Sequence, residues 1–180
     1  LPAYVGNADV AIAPIGSSGK AAKLICKNWD KKYSRIPDFI VIEGPEAGGH
    51  LGYKKDEILS NTAHSPFETL PEVKDAIEEF EEKYEKTIPI FIGGGIFDSN
   101  DVKKALDCGA AGVQIGTRFI ATEECDASQT YKDMIINANK DDAVIVVSPV
   151  GLPGRALRTQ LIKNLENGIK LNPEICNDCL

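Results

Sequence analysis

An α/β fold built on a parallel sheet is expected from three observations. Short apolar runs alternate with segments of helical spacing, the runs are almost unbroken Val, Ile, Phe and Ala, and glycines cluster directly after them. A strand that is apolar at successive positions is buried on both faces, as in parallel sheets flanked by helices. Glycines placed after the strands mark the end of such a sheet where α/β folds bind ligands. The 180 residues are enough for one domain, 1–180, with a substantial core. No linker or low-complexity segment divides them.

Val10–Ile15 is the first apolar run, closed by Gly16-Ser17-Ser18-Gly19. Ala21–Tyr33 then has helical spacing, with Ala21, Leu24, Ile25 and Trp29 expected on one face. Phe39–Ile42 reads as the next strand, and Glu43–Ser65 as a long glycine-containing loop of the kind that is usually functional. Pro71–Lys86 reads as a helix with Pro71 in its first turn and a stripe of Val73, Ile77, Phe80 and Tyr84. Ile88–Ile92 is a strand running into Gly93-Gly94-Gly95. Asp98, Ser99 and Asn100 offer N-caps for a helix through Leu106, with Gly109 as its stop. Gly112–Thr117 is a strand and turn, Gln129–Ala138 is helical in pattern, and Ala143–Val147 is a further apolar run closed by prolines and glycines. A last helix is expected over Leu157–Asn167.

The net charge is −7 and the Lys and Arg residues are scattered, which argues against a nucleic-acid surface. No apolar run approaches the ~20 residues of a membrane helix. No signal peptide is visible and there is no initiator Met, so a start inside a longer or processed cytoplasmic protein is expected. Cys26, Cys108 and Cys125 are dispersed and are expected to be reduced thiols. Cys176 and Cys179 form a C-x-x-C pair, which alone is weak support for zinc or redox chemistry, and no metal site is expected.

Val41–Tyr53, V-I-E-G-P-E-A-G-G-H-L-G-Y, carries the most chemistry. Glycine lets a backbone pass close to a flat or anionic ligand, and a histidine there takes or gives a proton near neutral pH. The motif reads as a loop around a cofactor, with His50 as candidate base. A tight turn bearing a surface histidine is the plain alternative. What favours the cofactor loop is a second signal downstream. Gly93-Gly94-Gly95 follows one strand and Gly116-Thr117 the next, and backbone N–H groups freed at such turns cradle anions. Two adjacent βα loops of this kind resemble the phosphate site of (β/α)8 barrels.

Three motifs together resemble the nitronate monooxygenases, formerly called 2-nitropropane dioxygenases. They are E-G-P-E-A-G-G-H-L-G (Glu43–Gly52), I-P-I-F-I-G-G-G-I (Ile88–Ile96) and G-A-A-G-V-Q-I-G-T-R-F-I-A-T (Gly109–Thr122). P-I-G-S-S (Pro14–Ser18) and S-P-V-G-L-P-G-R-A (Ser148–Ala156) fit as well. The same frame includes the flavin-dependent enoyl-acyl-carrier-protein reductases.

The resemblance implies an FMN-binding (β/α)8 TIM barrel, of which this chain supplies strands five to eight, and so implies a chain that is inactive without the missing N-terminal half. It implies oxidation of nitronates or nitroalkanes by O2, with FMN as cofactor and a small-molecule substrate. By that resemblance Gly94, Gly95, Gly116 and Thr117 hold the FMN phosphate. Gly48 and Gly49 let the loop approach the isoalloxazine, Gln114 contacts the flavin or its ribityl chain, and His50 is the base. Glu43 and Glu46 are expected to bond loop amides or bind a cation, and Arg118 to pair with an acidic residue. The rivals are an FMN- and NAD(P)H-dependent enoyl-acyl-carrier-protein reductase and a non-catalytic half barrel that binds a partner chain. A homo-oligomer or a separate N-terminal half is the expected partner.

Overall fold

A computed structural model describes residues 1–6, 8–148 and 151–169. The chain begins with one turn of helix, α1 (Pro2–Val5), which has proline in its first turn. The expected strand over Val10–Ile15 is reduced to β1 (Ile15–Gly16). Pro14 cannot donate to a ladder. The residues before it are instead tied to the next strand's approach, through Ile12 N–H to Asp38 Oδ2 at 2.9 Å and Asp38 N–H to the Ile12 carbonyl at 3.0 Å.

Helix α2 (Gly19–Tyr33) starts at Ser18, whose hydroxyl accepts from Ala21 N–H at 3.2 Å. Its buried face is Ala22, Cys26 and Trp29, while Leu24 is 58% exposed. The expected stripe was therefore set about one residue out of phase. Ala21 and Leu24 fit a helical period equally well, and only packing chooses between the two faces. Strand β2 (Ile40–Glu43) follows, and the long loop after it contains β3 (Gly49–His50) and α3 (Lys55–Leu59).

Helix α4 (Pro66–Tyr84) starts five residues earlier than expected, and Pro71 lies inside it. The start signal is Ser65 with Glu68: the Ser65 hydroxyl accepts from Glu68 N–H, and the Glu68 carboxylate accepts from Ser65 N–H at 2.8 Å. Pro66 takes the first helical position, where its missing N–H costs nothing. Val73, Ile77 and Phe80 are buried as expected.

Strand β4 (Ile90–Gly93), helix α5 (Ser99–Asp107) and strand β5 (Gly112–Gln114) come next. Asp98 caps α5 by accepting from Asn100 and Asp101 N–H, and Gly109 ends the turn at φ 87°. The chain continues through α6 (Thr117–Ile120) and α7 (Gln129–Ile136).

The main sheet is parallel, in the order β1-β2-β4-β5. Apart from the small β3, the strands stand beside each other in chain order, as consecutive strands of a (β/α) barrel do. Ile40, Ile42, Ile90 and Ile92 are all buried, in one cluster with Ala22, Cys26, Leu70, Val73, Ile77 and Phe80 from α2 and α4. Asp30 of α2 fastens the two helices from outside, accepting from Lys83 Nζ at 2.7 Å and Tyr84 Oη at 2.6 Å.

The last third of the chain departs from the expected pattern. Strand β6 (Ala143–Val147) does not extend the parallel sheet. It pairs antiparallel with β7 (Pro153–Leu157), and β7 pairs antiparallel with β3. The proline and glycine cluster thus bounds a hairpin: Ser148 N–H donates to the Leu152 carbonyl at 2.8 Å. The last helix, α8 (Gln160–Glu166), is shorter than Leu157–Asn167 because Leu157 belongs to β7 and Thr159 is the cap. This second sheet carries its own small core of Ala47, Leu51 and Ile58, with Tyr53 and Ile145 against it.

Candidate functional site

The register of the parallel sheet puts Glu43, Gly93 and Gln114 in one row at the carboxyl ends of β2, β4 and β5. Gly93 has no side chain, so its neighbours meet above it. A Cβ there would lie 3.4 Å from both Glu43 Cγ and Gln114 Cβ. Gln114 Nε2 donates to Glu43 Oε1 at 3.1 Å. Burial pushes the Glu43 carboxyl above its usual value, and the hydrogen bond from Gln114 opposes that rise. Glu43 is expected to bond loop amides or bind a cation; the partner of its carboxylate among the described residues is the Gln114 side chain.

Four loops leave this end of the sheet, and three of them, after β2, β4 and β5, carry the expected site glycines. The loop after β2 is tied down at its root by Gly44 N–H donating to the Gly93 carbonyl at 3.0 Å. Tyr53 Oη closes it by donating to the carbonyls of Glu43, at 3.0 Å, and His64, at 3.2 Å. The loop after β4 carries Gly94 at φ 82° and Gly95 at φ 76°. These values suit glycine, and space demands it too: a Cβ on Gly94 would lie 2.9 Å from the Ala47 backbone nitrogen. A Cβ on Gly95 would meet the Glu46 carboxylate. The loop after β5 turns at Gly116 into Thr117, and a Cβ on Gly48 would come 3.6 Å from Thr117 Oγ1. Gly48, Gly94, Gly95, Gly116 and Thr117 are thus gathered at one end of the sheet, the β2 loop lying against the other two.

His50 and Gly49 stand differently. Gly49, at φ 76°, has open space where a Cβ would go, so the backbone and not a neighbour requires glycine. His50 is exposed on β3, opposite Gly154 of β7. No hydrogen bond among the described residues joins its imidazole to another group. Its position is set by the backbone that carries it.

Among the described residues, Arg118 has no acidic partner. Its guanidinium donates to the Phe97 carbonyl and lies over the Phe97 ring, 4.6 Å from the centroid. Burial pushes the Cys26 thiol up to about 11, which keeps it a neutral core group. Cys108 and Cys125 are free thiols, and Cys176 and Cys179 lie outside the described residues. Among the described residues, no group of three or more His, Cys, Asp or Glu side chains is placed to hold a metal, and no helix is long and apolar enough to cross a membrane. Two cavities, of about 530 and 440 Å3, lie away from the glycine loops, one beside Arg35 and Asp38 and the other beneath Ile88–Ile90.

Sequence reasoning missed Arg155. Its Nη2 donates to the Pro45 carbonyl at 2.9 Å, 110 residues away in the chain. The only signal was its place in the Ser148–Ala156 motif, which assigns it no partner.

A parallel sheet packed against helices, with glycine turns after its strands, places the chain in the α/β class, whose ligand sites lie at the carboxyl ends of the strands. Within that class the chain belongs to the nitronate monooxygenase family, whose model matches residues 4–177. A carboxyl-CoA dehydrogenase of Mycobacterium tuberculosis, named for a 5-hydroxy-7a-methyl-1-oxo-octahydro-1H-indene-4-carboxyl-CoA, is 33% identical over 159 residues, covering 88% of this chain and 38% of that protein. A probable nitronate monooxygenase of Staphylococcus aureus is 30% identical over 128 residues, covering 71% of this chain and 34% of its own length. Among solved structures, FabK from Thermotoga maritima superposes with a TM-score of 0.68 at 26% identity, over 91% of this chain and 44% of that one. The chain thus spans about two-fifths or less of the curated relatives' length.

Proposed function

We propose that this chain is the phosphate-binding part, strands five to eight, of an FMN-dependent (β/α)8 barrel that oxidises alkyl nitronates and nitroalkanes with O2. The observation that carries this reading is the gathering of three glycine loops at the carboxyl end of one parallel sheet. The chemistry of the donor set fits FMN: backbone N–H groups of two glycine turns and one hydroxyl suit a phosphate monoester. No G-x-G-x-x-G fingerprint for a pyrophosphate accompanies them.

In this reading Gly94, Gly95 and Gly116 offer amides to the phosphate, and Thr117 offers its hydroxyl. Gly48 and Gly49 leave the loop after β2 without side chains on the side where a flat ring approaches. Glu43 takes one N–H of Gln114 and so orients its amide, leaving the other N–H and the oxygen for the cofactor's polar atoms. His50 accepts the proton from the carbon bearing the nitro group, at a neutral imidazole nitrogen. Bound FMN supplies the electron acceptor through which the resulting nitronate is oxidised by O2.

A second reading, the NAD(P)H-dependent enoyl-acyl-carrier-protein reductase, has one observation in its favour: the Mycobacterium tuberculosis relative is named for a carboxyl-CoA substrate, a thioester. A non-catalytic half barrel is the third. The test is to purify the intact protein, identify its released cofactor by mass spectrometry, and assay it under air. Recovery of FMN and O2 uptake with a nitronate support the proposal. Recovery of FAD refutes the cofactor, NADH oxidation with an enoyl thioester and none with nitronates supports the second reading, and a colourless, inactive protein supports the third.

A further inference from the structure

We propose that Arg155 is a positioning residue, which holds the loop bearing His50 in its working shape; the proposal rests on His50 being the proton acceptor. The His50 imidazole has no hydrogen-bond partner among the described residues, so whatever fixes the backbone of Gly49 and His50 fixes the base. That backbone is held from one side. Gly49 stands opposite Arg155, His50 stands opposite Gly154, and Leu51 N–H donates to the Pro153 carbonyl at 2.9 Å. The strands lie close at 154, where a Cβ would come 3.0 Å from the Gly49 carbonyl oxygen and would press that backbone away by a few tenths of an ångström.

Arg155 adds a second point of attachment. From the position opposite Gly49 its side chain reaches back to the root of the same loop and donates to the Pro45 carbonyl. One residue thus spans the loop Pro45–Gly49, pairing with its end through the backbone and its start through the guanidinium. The guanidinium is half-buried, and its Nε is buried without an acceptor among the described residues. A buried, incompletely satisfied donor is costly to a fold, and an apolar side chain at this position would avoid that cost. What arginine provides and an apolar residue does not is the grip on Pro45. The loop needs that grip because Gly48 and Gly49 leave it few side-chain contacts of its own. Catalytic geometry is sensitive at this scale: misplacing a group by about 1 Å costs on the order of 10²-fold in rate.

The test compares Arg155→Met with Arg155→Lys in the intact, flavin-loaded protein, reading amide hydrogen exchange over residues 46–51 together with kinetics. Arg155→Met is expected to speed exchange in that segment by about tenfold or more. It should lower kcat on a neutral nitroalkane by on the order of 10²-fold, change KM little, and spare a preformed nitronate, which needs no base. Arg155→Lys keeps a donor for the Pro45 carbonyl and should restore both protection and most of the activity. In a His50→Asn background Arg155→Met should cost little more. Unchanged exchange over 46–51, an equal loss on nitronate, or a full additional loss in the His50→Asn background overturns the proposal. If Arg155→Met does not fold, Gly154→Ala, which pushes β7 away from the Gly49 carbonyl, must show the same selective loss. Full nitroalkane activity in His50→Asn alone refutes the role of His50, while the exchange data still decide whether Arg155 holds the loop.

Discussion

Gln114 and Glu43 reach each other over Gly93: the amide of one donates to the carboxylate of the other at 3.1 Å, across a strand that has no side chain between them. Three adjacent strands therefore present one linked polar pair at the mouth of the sheet. The pair fixes which way the Gln114 amide faces and places a carboxyl in a partly buried setting.

Replacing Glu43 by Gln tests the cost of that carboxylate. Its folded value is raised by burial, against the Gln114 bond. A raised carboxyl contributes stability below its unfolded value, about 4.3, and loses it as pH climbs through the folded value. Glu43→Gln should therefore raise Tm at about pH 8 and give no gain at about pH 4. Thermal melts across this range check it, and a gain confined to low pH would be the wrong sign.

Asp38 should behave in the opposite sense. Burial pushes its carboxyl up, but hydrogen bonds from Lys86, the Ile12 N–H and Arg35 outweigh that and hold it at about 2. Its contribution is present above the unfolded value of about 3.9 and is lost as pH falls through it towards 2. Asp38→Ala leaves the Ile12 N–H and the Lys86 ammonium without this acceptor, while Arg35 keeps its bond to the Val10 carbonyl, and should cost roughly 1–3 kcal/mol near pH 7. Denaturant melts should show the penalty shrinking steadily below about pH 4.

Gly94→Ala should damage the phosphate site and the fold together. The φ of 82° is unfavourable for alanine, and the methyl would meet the Ala47 nitrogen. A destabilisation of about 1–3 kcal/mol is expected from the backbone alone, with FMN affinity falling in an equilibrium titration. Gly116→Ala is the control on space: a Cβ there meets nothing within 4 Å, so the methyl itself should be tolerated.

The parallel sheet, its glycine-ended strands, the Asp98 cap and the Gly109 stop were legible because each is a local signal. Hydrophobic runs, turn residues and caps lie within a few positions of what they specify. The Ser65–Glu68 start of α4 was equally local, but Pro71 offered a competing start that looked stronger. The hairpin β6–β7 and its pairing with β3 were not legible. Pro153-Gly154-Arg155 has the composition of a turn, and it becomes a strand because Ile145–Val147 of β6 pair with it on one side and Gly49 and His50 on the other. The phase of α2 failed for a similar reason, since Leu24 is as hydrophobic as the residues that the core selected. The site's glycines were read from their motifs, whereas the Arg155–Pro45 bond joins segments 110 residues apart and leaves no local trace.

Made alone, the chain should self-associate. Among the described residues β1 and β5 pair on one side only, and Ile15, Phe97, Phe119 and Val147 are each more than half exposed. Open strand edges and exposed apolar side chains drive association. Size-exclusion chromatography with light scattering should show oligomers or aggregates and weak FMN binding. A monomer that binds FMN tightly would contradict the half-barrel reading.

If His50 takes a proton from a nitroalkane beside a bound flavin, His50→Asn in the intact protein removes that step and leaves the rest of the site in place. The variant is assayed on a neutral nitroalkane and on the same compound deprotonated beforehand to its nitronate. A general base supplies about 10²–10⁴-fold, and a nitronate has already lost the proton in question. A loss of that size is expected on the neutral substrate and a small one on the nitronate. Equal losses on both, or none on either, would contradict it.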